Sequence, residues 1–345
     1  MKEIISKFNF KGAIETVVEN KSGLINSTFI LISSSEKYIL QKINSYIFPA
    51  PIKLMENIEL ITNSLKELGK ESLEIVKSKD GKSFIEFNND YWRAFKYIDG
   101  NTFLKVKNIS IVSESARCLA NFHKNLHYFP IENLHITIPD FHNLEIILND
   151  FQASLLNAPE FISEQCIDQI NYILSKAEDC KIIQKFIFEK RIPLRVCHND
   201  PKISNFLFDD KQNAICLIDL DTVMPGTLLT DIADAIRTIC VSESEEESDL
   251  KKVNFRDDYF ELFIESYLNV NNLNKYEVQN IVKAIELIFL EQGTRFLTDF
   301  LASNQYFKVS YENQNLVRAK NQLYLSKQIA LDSHKLIEIV RKCSK

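Results

Sequence analysis

Glycine is scarce. The chain has seven glycines in 345 residues, none closer together than the eleven positions separating Gly12 and Gly23. Neither the dinucleotide fingerprint G-x-G-x-x-G nor the Walker A loop G-x-x-x-x-G-K-[ST] can be written anywhere in it. If phosphates are held here, another device holds them. The seven cysteines, from Cys118 to Cys343, are odd in number, well spread and without a C-x-x-C, so a disulfide or zinc framework is not expected. His123, His127, His135, His142 and His334 form no metal-ligand spacing, and no G-x-S-x-G nucleophile elbow exists. No stretch approaches the roughly 18 uncharged apolar residues of a membrane span. The opening MKEIISKFNFKGAIE lacks the apolar segment of a signal peptide. There is no basic excess either: 41 Lys and Arg against 47 Asp and Glu give a net charge of −6, which argues against a general nucleic-acid binder. These absences describe a reduced, cytoplasmic protein with no nucleic-acid and no membrane partner.

What is present divides into two parts. Short apolar runs at Thr28 to Ile32, Tyr38 to Ile43, Ser83 to Phe87 and Tyr91 to Ile98 predict strands. Between them Pro51, then Leu54, Ile58, Ile61 and Leu65 at helical spacing, then Gly69, predict one helix. Beyond Asp99-Gly100 the periodicity turns helical over Ser113 to Leu126, Leu144 to Leu156, Ile162 to Phe188, Asp257 to Leu268, Tyr276 to Leu301 and Gln314 to Val340. The composition shift predicts a strand-rich lobe over 1–98 and a helical lobe over 99–345. The acidic run Ser242 to Asp249 reads as a solvated loop.

One stretch interrupts the helical lobe. Phe206 to Phe208 and Ala214 to Ile218 flank the turn-forming segment Asp209 to Asn213 and predict a hairpin with Phe206 opposite Leu217. That register brings Asn205 and Asp219 together at the open end, with Asp200 a short loop further back. A carboxamide and a carboxylate are suitable oxygen ligands for Mg²⁺. A third acid, Asp200, is then left to accept a hydroxyl proton. Phosphoryl transfer requires these parts: positioning, neutralisation of developing charge and an acceptor that orients the attacking hydroxyl.

The protein-kinase catalytic loop has an aspartate and an asparagine at the same separation, with a metal-binding aspartate beyond. The segment His198-Asn199-Asp200 to Asn205, with Ile218-Asp219-Leu220-Asp221, resembles the aminoglycoside phosphotransferase and choline kinase-like family. Within that family, Gly23 to Phe29, Tyr38 to Asn44, Ile138 to His142, Ile218 to Gly226 and Glu291 to Asp299 look most similar to N-acetylhexosamine 1-kinases. The resemblance implies an α+β, bilobal protein-kinase-like fold and an enzyme using ATP and Mg²⁺. It implies a small-molecule acceptor, the best candidate being the anomeric hydroxyl of an amino sugar, and a monomer or homodimer. Choline, homoserine, methylthioribose or an aminoglycoside remain alternative acceptors, and a catalytically silent binding module is the rival of another class. Leu24, Pro201 and Ala233 depart from the family pattern.

By the same resemblance, Asp200 is the catalytic base, and Asn205 and Asp219 are the metal ligands. The turn at Gly23, with Asn26 and Thr28, is expected to meet the phosphates. Lys42 resembles the strand lysine that contacts ATP, partnered by Glu56 or Glu59, with Gln41 as the alternative in register. Phe95, Tyr97 and Ile98 resemble the hinge that meets adenine. Asp221, Arg295 and Tyr306 are the acceptor candidates. Asp221 has loop capping as its alternative. Arg295 has a helical ion-pair ladder, since Glu291, Arg295 and Asp299 fall four apart. His198 is expected to shape the loop.

Overall fold

The computed structural model describes residues 1–20 and 25–344. The first part contains α1 (Lys2–Ile5), β1 (Ile14–Asn20), β2 (Ser27–Ser33), β3 (Lys37–Ile43), α2 (Pro51–Glu67), β4 (Ile75–Val76), β5 (Ile85–Phe87) and β6 (Asp90–Lys96). The strands form one antiparallel sheet ordered β1-β2-β3-β6-β4, with β5 also paired to β6. Alternation along β3 divides its side chains between two faces. Tyr38 and Leu40 join Ile4, Phe8, Leu31 and Trp92 in a small outer cluster, whereas Ile43 and Phe95 face α2 and the main core.

Helix α2 starts with Pro51 at its first position. Its end is a Schellman closure: Gly69 has φ +65°, its N–H donates to Lys66 O, and Lys70 N–H donates to Leu65 O. The predicted start and stop are both present.

The second part is mostly helical: α3 (Ile109–Asn125), α4 (Leu144–Asn157), α5 (Glu160–Glu164), α6 (Ile167–Ser175) and α7 (Ile182–Phe188) precede the short strands β7 (Arg195–Cys197), β8 (Phe206–Phe208), β9 (Ala214–Leu217) and β10 (Met224–Gly226). Then come α8 (Leu228–Ile239), α9 (Asp257–Leu268), α10 (Lys275–Leu301), α11 (Gln314–Leu331) and α12 (Ser333–Cys343). The fold is thus the expected α+β arrangement of a strand-rich sheet followed by a helical part.

Two predicted long helices are broken. Ile162 to Phe188 becomes three short helices, and Gln314 to Val340 bends at Asp332. The bend places Leu336 and Val340 of α12 in the main core beside α9, while α11 runs along α10. Apolar periodicity continues through such a bend, because both halves bury one stripe. Strand β1 and the full length of α8 were not predicted.

The main core does not stop at the lobe boundary. Leu54, Met55, Ile58 and Ile61 of α2 belong to the same buried cluster as Leu119, Ile232, Phe260 and Ile285. The helix of the sheet lobe therefore fixes that lobe against the helical one. Among the described residues no helix is long and apolar enough to cross a membrane.

The acidic run is not free in solvent. Glu245 pairs with Arg237 at 3.1 Å, Glu243 with Lys105 at 2.8 Å, and Glu246 accepts from Arg318 Nε at 2.8 Å. Two of these cations, Lys105 and Arg318, come from far away in sequence, which local charge patterning does not reveal.

Candidate active site

The hairpin register is the predicted one, with Phe206 opposite Leu217. One step further, Ile218 N–H donates to Asn205 O at 2.9 Å, so Asn205 faces Ile218 at the ladder's open end and Asp219 follows one residue on. Asn205 Nδ2 donates to Asp200 O at 2.8 Å and to Asp200 Oδ2 at 3.1 Å. The three motif residues are thereby gathered at one place. Lys202, which the sequence reading passed over, donates from Nζ to Asp200 Oδ2 at 2.7 Å. Its position two residues after Asp200 was the available signal.

The loop carrying Asp200 is fastened from beneath. Asp231, near the start of α8, accepts from His198 N–H at 2.7 Å and Asn199 N–H at 2.8 Å, and meets His123 Nε2 at 2.8 Å. Burial alone would raise the Asp231 carboxyl, but these bonds and the neighbouring histidines hold it below the usual carboxylate range. His198 donates from Nε2 to Ile218 O at 2.9 Å, while its Nδ1 accepts from Asp200 N–H. Both ring nitrogens are occupied in shaping the loop. Asn199 has φ +62°, a left-handed conformation that asparagine tolerates, and its side chain donates to Thr222 O at 2.9 Å and Met224 O at 3.2 Å. Gly226 makes room for it: a Cβ there would lie 2.4 Å from Asn199 Oδ1.

Asp219 is also left-handed, with φ +61°. Its side chain reaches solvent through the cleft, yet the surrounding protein withdraws enough water, with Asp221 and Asp200 nearby, to push its carboxyl up to about 6 against the pull of Lys202 and Arg93. Among the described residues no hydrogen-bond donor serves this carboxylate or Asn205 Oδ1. An unserved carboxylate among other acids, beside a free carboxamide oxygen, fits a small divalent cation that takes oxygen ligands.

Asp221 is engaged elsewhere. It forms a buried ion pair with Arg93 of β6 and accepts from Asn26 Nδ2 at 2.6 Å. Asn26 Oδ1 accepts from Asn44 N–H at 2.9 Å, Arg93 Nε donates to Gln41 Oε1 at 2.9 Å, and Gln41 Nε2 donates to Thr28 Oγ1 at 3.1 Å. Asn26 and Thr28 thus join a buried polar chain that crosses from sheet to helical lobe. Arg93, its centre, was missed, because a lone arginine in a strand has no sequence signature.

Lys42 is not brought to this chain. It pairs with Asp90 at 2.8 Å, both groups partly exposed, and lies opposite Trp92. Strand alternation gives the cleft face to Gln41 and Arg93 and turns Lys42 to the outer face with Tyr38 and Leu40. Glu56 meets His135 Nε2 at 2.7 Å and Glu59 pairs with Lys77, so neither partners Lys42. Gly23 lies outside the described residues.

At the expected hinge, Phe95 is buried against Arg93, and Tyr97 N–H donates to Lys37 O at 3.0 Å. No backbone partner engages Ile98 among the described residues. Of the expected acceptor residues, Arg295 donates from Nε to Glu291 Oε1 at 3.2 Å, from Nη2 to Phe141 O, and stacks over the Phe141 ring. Tyr306 is about half exposed, and its N–H donates to Asp299 Oδ1 at 2.7 Å. Withdrawal from water raises its phenol pKa, with Arg295 pulling down and Asp200 pushing up.

Solved structures share this architecture. The chain matches an aminoglycoside phosphotransferase from Alicyclobacillus acidocaldarius subsp. acidocaldarius DSM 446 at a TM-score of 0.67 and 14% identity, over 99% of this chain and 95% of that one. An amicoumacin kinase in complex with AMP-PNP, Ca²⁺ and Ami matches at 0.62 and 14%, over 95% and 92%. A microcompartment-associated aminopropanol kinase matches at 0.60 and 14%, over 97% and 98%. Residues 16–262, which include β2 to β10 and Asp231, match the family model for phosphotransferase enzymes, and the chain belongs to that phosphotransferase family.

Proposed function

We propose that this phosphotransferase moves the γ-phosphate of ATP to a hydroxyl of a small molecule, and that the acceptor is the anomeric hydroxyl of an N-acetylhexosamine. The observation that carries the reading is the junction of Asp200, Asn205 and Asp219, held by the Asn205 Nδ2 bonds to Asp200 and the Ile218–Asn205 backbone bond.

In this reading Asp200 accepts the hydrogen bond of the incoming hydroxyl and takes its proton as the bond to phosphorus forms. Asn205 and Asp219 hold Mg²⁺, which neutralises phosphate charge when bound. Lys202 supplies a cation beside Asp200, whereas Lys42, expected at the ATP phosphates, pairs with Asp90. Asn26 and Thr28 border the phosphates, and the Phe95 to Ile98 segment presents backbone groups to adenine at the boundary between residues 98 and 99. The relative solved with AMP-PNP and Ca²⁺ supports a nucleotide and a divalent ion as companions.

Charge balance supports a neutral acceptor over choline or another cation. Around Asp200 the acids other than Asp219, which is reserved for Mg²⁺ in this reading, are matched: Asp234 by Arg237 at 2.7 Å, Glu291 by His142 and Arg295, Asp221 by Arg93, and Asp200 itself by Lys202. No surplus of negative charge invites an ammonium group. Arg295 and Tyr306 border the sugar, and Asp221 acts through Arg93 and Asn26 at the rim. The seven free cysteines accord with a reducing cytoplasm.

The test is Mg²⁺-dependent ADP release over a panel of acceptors, followed by phosphorus NMR of the product. Release with N-acetylhexosamines and an anomeric phosphate signal are expected. Release with choline or an aminoglycoside alone would replace the sugar assignment, and no release with any acceptor would favour a silent binding module.

A further inference from the structure

His142 lies between the catalytic loop and α10, its side chain 12% exposed. Its Nε2 is 2.9 Å from the carbonyl oxygen of Asn199, in the peptide that leads into Asp200, and its Nδ1 is 2.9 Å from Glu291 Oε1. Both partners are acceptors. A peptide carbonyl has no proton to give. Burial by itself would raise the Glu291 carboxyl, but His142 and Arg295 outweigh it and hold the group below its ordinary value, hence ionised. A neutral imidazole has a single N–H, so two donated bonds require the doubly protonated ring.

We propose that His142 is a positioning residue for phosphoryl transfer: as an imidazolium it clamps the Asn199–Asp200 peptide to Glu291 of α10, and Asp200 is correctly aimed only while that charge is kept. The inference rests on the reading of Asp200 as the group that receives the acceptor's proton. The clamp is itself braced. Arg295 holds Glu291 from the next turn and fixes Phe141 O, so both ends of the His142 segment are tied to one helical face. This gives the Glu291 and Arg295 pair a part beyond a helical ion-pair ladder.

The charged groups facing the ring are Glu291 and Arg295 from α10 and Asp234 from α8. Burial would lower the imidazole pKa, and Arg295 lowers it further, but the charge and hydrogen bond of Glu291, with the Asn199 carbonyl, more than compensate and leave it above its ordinary value. The clamp is therefore complete below that raised pKa. As pH rises through it, the ring loses one proton and one of the two contacts becomes acceptor against acceptor.

The ring protonation state is read directly by ¹⁵N NMR of the histidine-labelled full chain, with His142 assigned by its absence in His142→Gln. Two protonated ring nitrogens at pH 7, titrating above 6.5, are expected; a neutral His142 at pH 7 overturns the proposal. In the kinetic arm, the wild type is expected to lose kcat on the alkaline side. His142→Gln is expected to have a kcat lowered by about 10- to 100-fold at neutral pH, a flattened alkaline limb and an unchanged KM for ATP. An alkaline limb identical in the two proteins overturns the proposal. If no acceptor is phosphorylated, the functional reading fails by itself, and the NMR arm on the wild type still decides whether the ring carries the charge.

Discussion

The guanidinium of Arg93 and the carboxylate of Asp221, 128 residues apart in sequence, form a buried ion pair that joins the sheet to the loop just after Asp219. Neither group is more than 3% exposed. Removing one partner leaves the other charged and out of water, which typically costs about 3 to 5 kcal/mol. Arg93→Met and Asp221→Leu are each expected to lose that much in urea unfolding, and the double variant less than either. A double variant as unstable as the sum of the two would show that the pair does not act as a unit.

Asp200→Asn removes the proton acceptor but retains an oxygen for Asn205 Nδ2. Its kcat is expected to fall about 10²- to 10⁴-fold, the scale of a general base, with little change in thermal midpoint. Near-normal turnover would remove Asp200 from that role.

Lys42→Ala should be nearly silent. The Lys42–Asp90 pair is partly exposed on the outer face, and such pairs contribute about 0 to 1 kcal/mol. Its KM for ATP and kcat are expected within about twofold of wild type. Lys202→Ala, by contrast, should lower kcat by about tenfold or more, since it removes the cation next to Asp200. A Lys42 variant with a strongly raised KM for ATP would return that residue to the phosphates.

Asp231 gives a pH dependence of definite sign. Its folded-state pKa lies below the ordinary 3.8, so the ionised form is favoured by folding. The stability it contributes is present above pH 4 and is lost as pH falls through the folded value. Unfolding free energies of wild type and Asp231→Asn are expected to differ most near neutrality and to converge below pH 4. A difference that stays constant from pH 7 to pH 3 would count against the ionised anchor.

The hairpin that follows Asn205 was legible because its information is local. Turn residues 209–213 fix the register, and the register puts Asn205 beside Ile218, one residue before Asp219. Helix α2 was legible for the same reason, with Pro51 at one end and Gly69 at the other. Which face of β3 meets the cleft was not local. Alternation tells that Tyr38, Leu40 and Lys42 share a side, but only the packing of α1 and β6 shows that this side is the outer one. Clamps such as Arg93–Asp221 and His142–Glu291 lie further still from sequence reading, since their partners are 128 and 149 residues apart. The sequence by itself determined the hairpin, its chemistry-bearing residues and the alternation of strands and helices, because these follow from neighbours along the chain. The tertiary structure decided which cation lies beside Asp200 and which charges are buried in pairs, because desolvation and ion pairing depend on what the folded chain brings into contact.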